Sequence, residues 1–165
     1  MTLATTIERQ MKFIHTADIH LDSPLRGLSF YLDAPADRLR TATRDAFHNL
    51  VSHAIDEQVD FMVIAGDVYD GDWKDFNNLL FFVRQMGRLR QAGIPVYLLY
   101  GNHDAESEMT RGLELPDNVY VFSSRKAETF RIDDKKVALH DRSFKVAATT
   151  ENLFPSYPEP VAGWL

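Results

Sequence analysis

Cysteine is absent from the 165 residues. Disulfides and thiolate metal sites are thereby excluded, and a reducing compartment fits. No apolar run approaches the ~20 residues of a membrane-spanning helix, so no membrane embedding is expected. Residues 1–10 lack the apolar centre of a secretory signal, and a cytoplasmic location is the expectation. Positive charge is also scarce, with 18 Lys and Arg against 24 Asp and Glu and a formal net charge of −6. That balance disfavours a broad phosphate-binding surface, unless the acidic excess is local and bound divalent cations offset it.

What is present is the makeup of a globular chain, 45% hydrophobic and 25% charged, long enough for one domain with its own core. Lys12 to Ala17, Val59 to Ala65 and Ile94 to Tyr100 read as buried strands. Between them, apolar residues at helical spacing predict helices from Pro35 to about Gln58 and from about Asp75 to Ala92. The first would bury Leu39, Ala42, Ala46, Phe47, Leu50, Val51, Ala54 and Ile55, the second Phe76, Leu79, Leu80, Val83, Met86 and Leu89. Alternating strands and helices at this spacing imply an α/β fold with a parallel sheet and right-handed crossovers. Further on, Glu106 to Leu113 reads as a short helix. Asn118 to Phe122, Glu128 to Ile132 and Lys136 to Phe144 read as strands, and Pro155 to Pro160 as extended loop.

Each of the first three strands runs into polar residues: Asp18-Ile19-His20, Gly66-Asp67-Val68-Tyr69-Asp70 and Gly101-Asn102-His103-Asp104. Ligands bind at the carboxyl ends of strands in open α/β sheets, so three such ends suggest one polar site centred on Asp67. Carboxylate, imidazole and amide donors without sulfur suit Mn²⁺, Fe²⁺ or Zn²⁺ better than Ca²⁺. In an extended Asp18-x-His20 both side chains point the same way and can share a metal. Asp67 can then bridge to a second metal, which Asn102 would also hold. Paired metals serve in-line displacement at phosphorus by activating water. His103 is left to protonate a leaving oxygen or stabilise developing charge, with Asp104 orienting its ring. For Asp70 a cap or backbone bond is the plainer role. His15 reads as a hydrogen-bonded core histidine, His48 and His53 as surface or helix-packing residues, and Tyr69 and Trp73 as loop packing or base-stacking platforms.

Taken in order, Asp18-x-His20, Gly66-Asp67-x-x-Asp70 and Gly101-Asn102-His103-Asp104 resemble the calcineurin-like metallophosphoesterases. The string from His15 to Pro24 (His-Thr-Ala-Asp-Ile-His-Leu-Asp-Ser-Pro) is similar to the SbcD-type DNA repair exonuclease branch. The resemblance covers residues 11 to 165. It implies the first half of a four-layer α/β/β/α sandwich, a dinuclear Mn²⁺ centre, hydrolysis of DNA phosphodiester bonds and partnership with an SMC-like ATPase subunit. Two departures stand out. No histidine follows His140, so the family's later metal-binding histidines and its Gly-His-x-His motif are missing, and Asp141 stands where relatives usually carry Gly.

Accordingly, residues 1–10 are expected to be an N-terminal extension and 11–165 a phosphoesterase domain truncated on its C-terminal side. The second metal site should be weak, turnover low, and exposed sheet surface should favour self-association. The alternatives are a phosphatase or phosphodiesterase of small substrates, and an inactive fragment.

Overall fold

A computed structural model describes residues 10–22, 36–69, 76–105, 114–150 and 152–165. Strands β1 (Phe13–Thr16), β2 (Phe61–Ala65), β3 (Val96–Leu99) and β4 (Val119–Val121) form one sheet in the order β1-β2-β3-β4. Every pairing is parallel, with Phe13 opposite Phe61, Met62 opposite Val96 and Val96 opposite Val119. Helices α1 (Ala36–Asp56) and α2 (Phe76–Gln91) make the first two crossovers. When right-handed crossovers advance in one direction, their helices land on one face, and α1 and α2 do pack together there. A one-turn helix α3 (Asn102–Ala105) follows β3, and β5 (Glu128–Ile132) and β6 (Val137–Asp141) make a separate antiparallel hairpin.

The strand pleat separates two cores. Met62 and Ile64 of β2 and Val96 and Leu98 of β3 point to the helices, against Phe47, Val51 and Ala54 of α1 and Phe82, Met86 and Leu89 of α2. Phe61, Tyr97 and Leu99 point the other way, onto Phe122, Phe130, Ile132 and Val137. The hairpin therefore lies on the opposite face, and helix, sheet and hairpin stack as three layers. This is the α/β arrangement expected of part of a metallophosphoesterase fold.

Several sequence expectations are corrected in detail. Among the described residues β1 pairs with β2 alone and is an edge strand. Phe13, 49% exposed, stacks its ring on Phe61, and His15 on the same face is exposed rather than a core histidine. On α1, Ala42 and Ala46 face solvent, and the buried stripe is Phe47, Val51 and Ala54. On α2 the inner face is Asn78, Phe82, Gln85, Met86 and Leu89, while Phe76 and Leu80 are 69% and 64% exposed. The stripe is rotated because two amides, Asn78 and Gln85, hold inward positions that apolar periodicity assigns elsewhere. β6 ends at Asp141, and a single 3₁₀ turn at Phe154–Ser156 interrupts the extended C-terminal stretch. His48 and His53 are exposed, as expected. Asp70, Trp73 and the helix expected over Glu106 to Leu113 lie outside the described residues.

Asp141 is accommodated without strain. It is not among the residues with positive φ, and its carboxylate accepts bonds from the Arg142 amide at 2.8 Å and the Tyr157 hydroxyl at 3.0 Å. His140 pairs across the hairpin, with Nδ1 2.8 Å from the Thr129 hydroxyl.

Candidate metal centre

The loops after β1, β2 and β3 emerge side by side because their strands are parallel neighbours. The first two then zip together through the backbone. The amides of Asp18, His20 and Leu21 donate to the carbonyls of Gly66, Asp67 and Val68 at 3.2, 3.0 and 2.9 Å. This path is not extended. Asp18, His20 and Asp22 have φ of 53°, 45° and 50°, and Asp67 has 52°. The shared orientation of Asp18 and His20 thus comes from alternate residues in the left-handed region, not from strand pleating. That region costs an L-residue roughly 1–2 kcal/mol, least for Asp and Asn. Strain of this kind persists only where surrounding bonds over-determine it.

Two glycines set the third loop against the second. Gly66 has φ +86°, and a Cβ there would lie 2.8 Å from the Cα of Gly101. A Cβ on Gly101 would lie 2.1 Å from Asp67 Oδ1 and 2.7 Å from the Asp67 nitrogen. Only glycine permits this approach. Asn102 and His103 follow directly, and the His103 amide donates to Asp67 Oδ1 at 3.0 Å.

The result is a convergence of donors. Asp18, His20 and Asp67 each offer a ligand atom, all within 4.8 Å of one another, the first exposed and the last buried. It is the one such group among the described residues. Oxygen and imidazole donors at this spacing fit a divalent transition metal. The His103 ring stands edge-on to His20, centroids 5.2 Å apart. Asn102, half-buried at the start of α3, lies between two residues that both touch Asp67.

Asp104 has a structural task that its sequence position does not announce. Its carboxylate is 1% exposed and accepts the amides of Tyr69 at 3.0 Å, Val68 at 3.2 Å and Gly101 at 3.0 Å. It straps the β2 loop to the β3 loop. Burial pushes its pKa up, those backbone bonds pull it down, and the nearby Asp67 charge pushes it up again. Tyr69 is buried edge-on against Phe82, which excludes it as an exposed stacking platform.

Ser143 was also hidden in the sequence. Its hydroxyl donates to the Phe122 carbonyl at 2.6 Å and accepts the Tyr100 amide at 2.9 Å. The Phe144 amide donates to the Tyr100 carbonyl at 2.8 Å. The segment after β6 thereby fixes the residue from which the Gly101-to-Asp104 turn departs.

The calcineurin-like phosphoesterase family matches residues 11–157. The chain belongs to that family. A Bacillus subtilis protein described as an uncharacterized metallophosphoesterase, YhaO, is 35% identical over 150 residues, covering 89% of this chain and 37% of that protein. The DNA double-strand break repair protein Mre11 of Methanosarcina mazei is 31% identical over 109 residues, 66% of this chain and 16% of that protein. Mre11 of Methanosarcina acetivorans is 30% identical over the same length. The chain thus spans well under half the length of these relatives. As a member of the calcineurin-like family it carries the Asp, His and Asn pattern on three adjacent strand ends. No helix among the described residues is long and apolar enough to cross a membrane.

Proposed function

We propose that this calcineurin-like domain is a metal-dependent phosphodiesterase acting on DNA in the cytoplasm. The observation that carries this reading is the convergence of Asp18, His20 and Asp67 beside the His103 ring. The string from His15 to Pro24 and the similarity to archaeal Mre11 proteins support the DNA substrate. Asp18, His20 and Asp67 would hold one divalent ion, Mn²⁺ in this reading, and Asp67 with Asn102 a second. Bound ions would supply neutralisation of phosphate charge and activation of water. The chain's own residues do the rest. The glycine contact holds Asp67 in place, and its Oδ1 fixes the amide of His103. The His103 imidazole, edge-on to His20, would donate a proton to the leaving oxygen or stabilise charge on phosphorus. Asp104, as a positioning residue, keeps that turn in register through the amides of Val68, Tyr69 and Gly101, which occupy both its oxygens in place of the His103 ring it was expected to orient.

Among the described residues only Asp67 and Asn102 are offered to a second ion, so weaker binding of that ion and slow turnover of these 165 residues are expected. Two tight Mn²⁺ sites in calorimetric titration would refute that. The decisive experiment incubates labelled single-stranded DNA with excess protein and Mn²⁺. Cleavage that EDTA and Asp67→Asn abolish supports the reading. Hydrolysis of a chromogenic phosphodiester with DNA left intact would instead select a small-substrate phosphodiesterase, which the net charge of −6 favours. An SMC-like ATPase partner and self-association through the β1 edge belong to the same proposal, the edge carrying the half-exposed Phe13.

A further inference from the structure

Asn78 is a polar residue in the middle of an apolar helix face, 1% exposed. Burying an amide is costly unless both ends are bonded. Here both are. Nδ2 donates to the Leu21 carbonyl at 3.2 Å, and Oδ1 accepts from Arg44 Nη2 of α1. Arg44 also pairs with the Asp22 carboxylate, and its guanidinium lies 5.6 Å over the Phe81 ring. The Asp22 amide donates to the Thr43 hydroxyl at 3.0 Å. Leu21 and Asp22 directly follow His20, and the left-handed residues His20 and Asp22 flank Leu21. Two helices thus grip the loop immediately past a metal-ligand candidate, at its most strained part.

We propose that Asn78, with Arg44, is a positioning residue for the Asp18–His20 ligand pair. The proposal rests on the metal-centre reading above. The backbone bonds from His20 and Leu21 to Asp67 and Val68 set the loop's height against the second strand end. The Asn78 bond to the Leu21 carbonyl prevents the chain from relaxing to an extended path, which would turn the His20 imidazole away from Asp67. Apolar packing alone could fill the Asn78 position; it could not hold a carbonyl. Partners that orient ligands in this way typically govern metal affinity by 10–100-fold.

The test uses Asn78→Asp, which keeps an acceptor for Arg44 but removes the donor to Leu21. Met86→Ala, on the same helix face and remote from the loop, serves as a stability-matched control. Mn²⁺ titration should show Asn78→Asp binding about 10-fold more weakly, with an altered visible spectrum when Co²⁺ is the probe. Met86→Ala should keep both despite an equal or larger loss of Tm. Amide hydrogen exchange of the metal-free protein is the independent readout: exchange at His20 and Leu21 should accelerate at least ~10-fold in Asn78→Asp over the control. Arg44→Gln should act in the same direction, and substitutes if Asn78→Asp does not fold. Unchanged exchange at His20 and Leu21 overturns the proposal whatever the metal result. Failure of the parent protein to bind Mn²⁺ sinks the metal reading instead, leaving exchange to decide the positioning role.

Discussion

Gly101→Ala adds one methyl at the tightest point of the molecule. Its Cβ would sit 2.1 Å from Asp67 Oδ1, where ordinary contact begins at 3.4 Å. The carboxylate must therefore retreat by about 1.3 Å, or the two loops must part. Retreat of the carboxylate alone is not enough, because the Asp67 nitrogen would still be 2.7 Å from the new methyl. Parting of the loops is resisted by the Asp104 strap. Disturbing a ligand carboxylate in this way should cost about 10–100-fold in metal affinity, about 1.4–2.7 kcal/mol. Overpacking adds about 1–3 kcal/mol of lost stability, a Tm decrease of roughly 2–12 °C for a domain this size. Mn²⁺ titration and thermal denaturation measure the two effects separately. The reasoning is refuted by a Gly101→Ala protein that binds Mn²⁺ within threefold of the parent, because the Asp67 carboxylate could not then have moved.

Gly87→Ala is the converse case: a helical glycine with nothing within 4 Å of a new Cβ, so stability should rise by about 0.5–1 kcal/mol in urea denaturation. Asp104→Ala strands three amides under a buried strap; a loss of at least about 3 kcal/mol is expected, and a midpoint shift under 1 kcal/mol would count against the strap. Asp18→Asn keeps a residue that tolerates positive φ but removes a charge facing Asp67. Metal affinity should collapse while the metal-free protein becomes as stable as the parent or more so, by up to about 1 kcal/mol. The Tyr97 hydroxyl is pushed up by burial, then by Tyr120 and Asp134. Its stabilisation is therefore complete below the ordinary tyrosine pKa near 10 and is lost as pH rises above it, by about 1.4 kcal/mol per unit at most. Tyr97→Phe should make that alkaline slope shallower by one group's share, and an unchanged slope would assign it to Tyr69, Tyr100 and Tyr157, whose hydroxyls burial also pushes up.

Much of this was legible because hydrophobic periodicity and motif order report directly on burial. β2 and β5 were placed to within two residues, and the three polar strand ends were expected to meet. What periodicity could not report was polar packing. Asn78 and Gln85 rotated the inner face of α2 away from Phe76 and Leu80, although Asn78 stands at helical spacing from Phe82 and Met86 and so left a trace. The edge position of β1 was invisible, since Phe-Ile-His-Thr reads the same in a central strand. The left-handed path of Asp18 and His20 was equally hidden, because alternation along a strand and alternation through positive φ both place i and i+2 together. Ser143 carried no signal at all; its role depends on the distant ends of β3 and β4.

The Gly66–Gly101 contact and the Asp104 strap also predict how this site should age. On the proposed reading the side chains of Asn102 and His103 serve the chemistry, so a descendant relieved of that chemistry should discard them more readily than the glycines. Gly66, Gly101 and Asp104 are held by sterics and by buried amides, and drift there is penalised whether or not the protein turns over substrate. Across divergent copies, the turn's outer letters should record ancestry and its inner letters present activity.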